Sequence, residues 1–128
     1  MIGKTTLLAL LLGTGLAGAA LAQTAAPGKM ESTANGQILV NGKGRTLYTF
    51  DKDSTGKSAC NATCATLWPP FLASSDATAS GNWSVITRSN GSKQWAYDGK
   101  PLYTWIKDKK PGDMTGNGVK NVWHTAHP

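Results

Sequence analysis

Leu47-Tyr48-Thr49-Phe50-Asp51-Lys52-Asp53 returns later in the chain as Leu102-Tyr103-Thr104-Trp105-Ile106-Lys107-Asp108, and Trp68 returns as Trp123. Both matches sit 55 residues downstream (102 − 47 and 123 − 68). Two separated matches at one offset indicate two copies of one structural unit, and so a single pseudo-symmetric domain. On a strand, residues two apart face the same way. Tyr48 and Phe50 therefore share a face, as do Tyr103 and Trp105. The matching acids, Asp53 and Asp108, suit a common structural task such as satisfying turn amides.

The elements around the two copies read as short strands. Ile38 to Val40 and Thr46 to Phe50 flank Asn41-Gly42-Lys43-Gly44, a hairpin signal. Trp83 to Arg88, Gln94 to Tyr97 and Leu102 to Trp105 form a three-stranded meander through Ser89-Asn90-Gly91-Ser92 and Asp98-Gly99-Lys100-Pro101. Trp68-Pro69-Pro70-Phe71 stops any helix begun near Cys60 and turns the chain extended. Val119 to Thr125 reads as the closing strand. The expected fold is mainly β, a small single domain of two pseudo-repeated β-hairpin units with one short helical turn over Cys60 to Leu67.

Upstream, Met1 to Ala22 has the form of a secretory signal: Lys4, an apolar run from Leu7 to Leu16, and a small-x-small site with cleavage after Ala22. The run is interrupted by glycines and is short for a membrane span. Residues 23–35 are rich in Ala, Gly, Ser and Thr without an apolar period and read as a flexible leader, so the domain is expected over 36–128. Thirteen Lys and Arg against seven Asp and Glu make the chain mildly basic. The excess is scattered apart from Lys107, Lys109 and Lys110. That cluster is either a solvated face or a contact for an anionic partner, and export argues against nucleic acid.

Cys60 and Cys64 lie in a chain bound for an oxidising compartment, and one helical turn would put their Cα atoms about 6 Å apart, within disulfide reach. A disulfide is the first reading; a metal thiolate or redox pair is the second. The second copy has Thr115 and Val119 at those positions, so the bridge would belong to the first copy alone. All ten aromatic residues lie after position 47. They form either the core of a domain poor in Leu and Ile or an exposed strip for a sugar, lipid or protein.

Chemistry-bearing patterns are few. Asp51-x-Asp53-x-Thr55-Gly56 resembles the start of a calcium loop, but Ala62 stands where the bidentate Glu belongs, so a self-capped turn is preferred. His124, His127 and Met114 are the ligands available for copper or zinc, although His124 and His127, three apart on a strand, would face opposite ways. There is no Gly-x-Ser-x-Gly, no His-Glu-x-x-His and no nucleotide fingerprint. The expectation is a chain that is not an enzyme and carries no cofactor.

The repeated Tyr-x-aromatic-x-x-Asp pattern, the cysteine pair before Trp68-Pro69-Pro70 and the closing Gly116-x-Gly118-Val119-x-x-Val122-Trp123-His124 resemble the secreted-repeat family of predicted bacterial lipoproteins with a Yx(FWY)xxD motif. The resemblance covers Gln37 to the C-terminus. It implies an exported bacterial protein and brings no activity, substrate or cofactor with it. Leu16-Ala17-Gly18 is followed by Ala19 rather than a lipobox cysteine, so a periplasmic or secreted product without an acyl anchor is expected. Two function classes follow: a small non-enzymatic binding or envelope-interaction module for a polymer, lipid or protein, and a copper-, zinc- or redox-handling accessory.

Overall fold

A computed structural model describes residues 26–128; the signal expected over 1–22 lies outside them. The elements in chain order are β1 (Gly28–Thr33), β2 (Gly36–Asn41), β3 (Tyr48–Phe50), α1 (Thr63–Leu67), β4 (Leu72–Ala73), β5 (Trp83–Thr87), β6 (Lys93–Tyr97), β7 (Lys100–Pro101), a 3-10 turn (Val119–Asn121) and β8 (Trp123–Thr125). The fold is mainly β and small, with two repeats and, among the described residues, one α-helix and one 3-10 turn.

Each repeat opens with a hairpin. β1 pairs antiparallel with β2, and β5 with β6. The second copy continues through Asp98-Gly99, both with positive φ, into β7, so a meander forms. Its third strand is Lys100–Pro101 rather than the expected Leu102 to Trp105, because Tyr103 spends its backbone on Tyr48 of the other copy. In the first copy Asn41 Oδ1 accepts from the amides of Lys43 and Arg45, an Asx-stabilised turn. The ladder then resumes with Leu47 N donating to Leu39 O, matched by Leu102 N to Trp95 O.

The leader expected over 23–35 is corrected here. Gly28–Thr33 is a strand paired along its whole length with Gly36–Asn41. It escapes sequence patterning because it is an edge strand with little to bury: Met30 is 50% exposed. Ladder hydrogen bonds and a turn in which Thr33 Oγ1 donates to Gly36 O hold it in place. The closing strand is also shorter than Val119 to Thr125. Positive φ at Gly118, Lys120 and Asn121 breaks the extended backbone, leaving strand only from Trp123.

The repeats do not fold side by side; each completes the other. Tyr48 N donates to Tyr103 O and Tyr103 N to Tyr48 O, at 2.8 and 3.0 Å, so the two equivalent tyrosines pair with each other. On the flanks, β3 pairs with β8 from the second copy, Tyr48 opposite Thr125. Tyr103 correspondingly pairs with Pro70 from the first. The same exchange recurs in Asp51 N to Val122 O against Ile106 N to Leu67 O, and in Ala126 N to Leu47 O against Phe71 N to Leu102 O. A pseudo-twofold axis therefore passes between Tyr48 and Tyr103.

Two apolar clusters result. Leu39, Leu47, Trp83, Tyr97, Leu102 and Ala126 fill one. Tyr48, Cys60, Trp68, Tyr103 and Trp123 fill the other, nearest the axis. Beside them Arg88, 6% exposed, donates from Nη1 to Gln94 Oε1 and Ser58 Oγ and from Nη2 to Cys60 O, so both ends of its buried guanidinium are hydrogen-bonded.

Candidate functional site

The repeated Tyr and Asp are joined crosswise. Tyr48 Oη donates to Asp108 Oδ2 at 2.6 Å, and Tyr103 Oη to Asp53 Oδ2 at 2.7 Å. Each carboxylate spends its other oxygen on a loop amide of its own copy: Ala59 N for Asp53, Thr115 N for Asp108. The shared job is thus to tie a loop to the tyrosine of the opposite copy. Burial pushes both phenols far above their ordinary value of 10.0, and the hydrogen bond to the carboxylate pushes the same way. Burial also raises the Asp53 carboxyl, against the pull of the Ala59 amide, the Tyr103 hydroxyl and the Arg88 charge.

The aromatic residues make one column. Trp68 and Trp123, equivalent in the repeat, stack with centroids 3.9 Å apart and planes 2° from parallel. Phe50 caps the outer face of Trp123 at 4.1 Å, and its counterpart Trp105 caps Trp68 at 4.0 Å. Tyr48 and Tyr103 meet Trp68 and Trp123 edge-on at 5.3 and 5.2 Å. Such pairs add about 0.5–1.5 kcal/mol each beyond the area they bury. The central pair is 3% exposed, whereas Phe50 and Trp105 are half-buried. The rings are therefore core at the centre of the column and surface at its ends.

A groove of about 380 Å³ runs along the side of this column. α1 forms one wall with Cys64 and Leu67, and the 3-10 turn forms the other with Val119 and Val122. Cys64 and Val119, Leu67 and Val122, Phe50 and Trp105, and Trp68 and Trp123 are all pairs at the 55-residue offset. The groove therefore straddles the pseudo-twofold axis, half from each copy. Its lining is apolar apart from Thr63, Lys52 and Lys120.

A five-residue helix with no side-chain cap cannot stand alone, and α1 needs tethering. The Cys60–Cys64 disulfide supplies one tether, with Cα atoms 5.2 Å apart. It stitches the helix to buried Cys60 in the tyrosine-tryptophan cluster. The opposite wall has no bridge and is shaped by the left-handed backbone at Lys120 and Asn121, φ 53 and 58.

A family model described as a secreted repeat of unknown function matches the chain twice, over residues 29–71 and 84–127. The chain belongs to this family of secreted repeats. Each match runs from an opening hairpin to just past the segment that crosses to the other copy, and the first begins inside the corrected β1. Nothing among curated proteins or solved structures matches the chain.

The other residues singled out in this secreted-repeat protein disperse. Lys107 Nζ lies 6.0 Å from the centroid of Trp105, one of the rings that line the groove. Lys110 instead pairs with Asp113 at 2.9 Å. That hydrogen bond, aided by the Lys109 amide, holds the Asp113 carboxyl down at about 2. His124 Nε2 contacts Asp51 Oδ2 at 2.8 Å, while His127 contacts Gln37 O and Thr125 Oγ1. Both histidines line a separate cavity of about 250 Å³, but Met114 is elsewhere, against Asn35. Among the described residues no three His, Cys, Asp or Glu side chains converge as a metal site would require. Asp51 and Asp53 turn to different partners, His124 and Tyr103, so the calcium-like spacing forms a self-capped turn. Among the described residues no helix is long and apolar enough to cross a membrane.

Sequence reading missed Leu67, Val122, Lys52 and Lys120 as groove residues. The first two were accessible by extending the offset from Trp68 and Trp123 one residue back, and Lys52 by pairing it with Lys107. Lys120 had no signal, since its counterpart Ala65 lies inside α1.

Proposed function

We propose that this secreted-repeat protein is an exported, non-enzymatic binding module whose recognition surface is the groove on the pseudo-twofold axis. The observation that carries this reading is that both repeats place matched apolar residues around one concavity, so duplication yields a single site. A concave, mostly apolar surface with a few polar groups at its edge is the common form of a small-ligand site. The half-buried ring ends and Leu67, 42% exposed, leave apolar surface that the fold itself does not cover. Support for the non-enzymatic part comes from the two Tyr–Asp pairs, which are occupied in tying loops down and are not among the residues that line the groove.

The test uses N-phenylnaphthylamine, a neutral apolar fluorophore, with the full chain. Leu67→Asp puts a charge on the groove wall at an exposed position, and Leu72→Asp does the same at a 58% exposed position away from it. The expected result is bound-probe emission that Leu67→Asp weakens at least about fivefold, the equivalent of roughly 1 kcal/mol, and Leu72→Asp leaves unchanged. Absent binding, or equal loss in both variants, would refute the reading.

A further inference from the structure

We infer that the groove selects amphiphilic anions: molecules with one flat or linear apolar body and one negatively charged oxygen headgroup, of which a fatty carboxylate is the simplest. The inference rests on the groove being a binding site and adds what the charges around it demand.

Two cations line the groove and a third lies beside one of its rings. Lys52 and Lys120 line it, and Lys107 lies over the ring of Trp105 at its end. Among the described residues no carboxylate lines it. The nearby acids make their hydrogen bonds to other side chains, Asp51 to His124, Asp53 to Tyr103 and Asp108 to Tyr48. Among the described residues, Lys52, Lys107 and Lys120 form no ion pair, in contrast to Lys110 with Asp113. An apolar concavity with unpaired lysines at its rim gains from an occupant that buries a hydrocarbon body and keeps an anionic head at the edge.

The backbone at Lys120 adds a second line. Lys52 and Lys107 are related by the repeat, but Lys120 replaces a helical Ala65 and sits at φ 53, ψ 18. A non-glycine residue held in the left-handed region is strained, and such strain concentrates at functional positions. This one has turned the second copy's wall away from helix and placed a cation where the first copy has a methyl group.

The experiment compares dodecanoate, dodecanol and dodecyltrimethylammonium below their aggregation concentrations. It uses the full chain, at a pH where the carboxylate is ionised, with competition against bound N-phenylnaphthylamine as the readout. Dodecanoate is expected to bind at least about fivefold more tightly than dodecanol, and the cation more weakly than either. Lys120→Gln should lower dodecanoate affinity about threefold without altering dodecanol. Lys52→Gln, Lys107→Gln and Lys120→Gln together should abolish the preference. Equal binding of dodecanoate and dodecanol would overturn the anion selectivity while leaving the groove reading standing. Binding of none of the three would overturn both. Binding to anionic vesicles without binding to monomeric dodecanoate would overturn the inference in favour of a membrane surface.

Discussion

Removing the hydroxyl of Tyr48 isolates the interaction that joins the repeats. Tyr48→Phe keeps the ring, and with it the edge-on contact to Trp68 at 5.3 Å. It deletes the 2.6 Å hydrogen bond to Asp108 and the acceptor for the buried Gly116 amide at 3.2 Å. Tyr48 is wholly buried and Asp108 8% exposed, so water cannot readily replace the lost group. A hydrogen bond to a charged group contributes about 1.5–3 kcal/mol, and an orphaned buried amide costs about 1–3. The two overlap, since one hydroxyl serves both, and a loss of about 3 kcal/mol is expected. Tyr103→Phe removes the equivalent bond to Asp53, but Asp53 and Ser58 are only half-buried and can recruit water. Its cost should be about 1–2 kcal/mol. Urea unfolding followed by tryptophan fluorescence measures both. In a cycle with Asp108→Asn, the Tyr48 coupling should exceed about 1 kcal/mol. A Tyr48→Phe cost below about 1 kcal/mol, or one smaller than that of Tyr103→Phe, would refute the reasoning.

Gly116→Ala should destabilise by about 1–3 kcal/mol in the same assay, because a Cβ there would lie 2.8 Å from Trp68 Cη2 and 2.9 Å from Tyr48 Cζ, inside the packed cluster; a neutral change would show that the cluster yields. Reducing Cys60–Cys64 frees only a short loop and should cost about 2 kcal/mol of stability while weakening probe binding through the loosened α1 wall; unchanged binding would show that α1 holds without its tether. Above the ordinary phenol value of 10.0 the unfolded chain ionises its tyrosines while Tyr48 and Tyr103 resist, so the stability they contribute is complete below that pH and is lost as pH rises beyond it. The phenolate absorbance of these two should accordingly appear only together with unfolding, and ionisation in an intact fold would contradict their burial. Cutting the chain between Ser74 and Asn82, in the exposed connector, should leave two fragments that stay associated and co-elute, because their strands are exchanged; separation into two independently folded halves would contradict the exchange.

The repeat was legible because the aromatic column and the Tyr–Asp ties need the same residue types at the same spacing in both copies. Where the spacing changes, legibility ends. Leu39 corresponds to Trp95 at an offset of 56 rather than 55, since the first copy's turn is one residue longer, and the kinship of the opening hairpins was therefore hidden. β1 was missed because a strand held by its ladder bonds needs no apolar pattern. The disulfide followed from compartment and spacing, whereas the crosswise pairing of Tyr48 with Asp108 could not, because a sequence does not say which copy supplies the partner. Lys107, Lys109 and Lys110 looked like one cluster, yet a turn capped by Asp113 sends Lys110 away and leaves Lys107 on Trp105.

The five tryptophans divide by place: Trp68, Trp105 and Trp123 line the groove, whereas Trp83 and Trp95 pack edge-on to each other in the other cluster. Titrating isotope-labelled protein with dodecanoate while following the indole N–H resonances tests the binding account directly. The account predicts progressive, saturable shifts of the three groove indoles with Trp83 and Trp95 stationary. Shifts confined to Trp83 and Trp95, or no saturable shift at all, would contradict it.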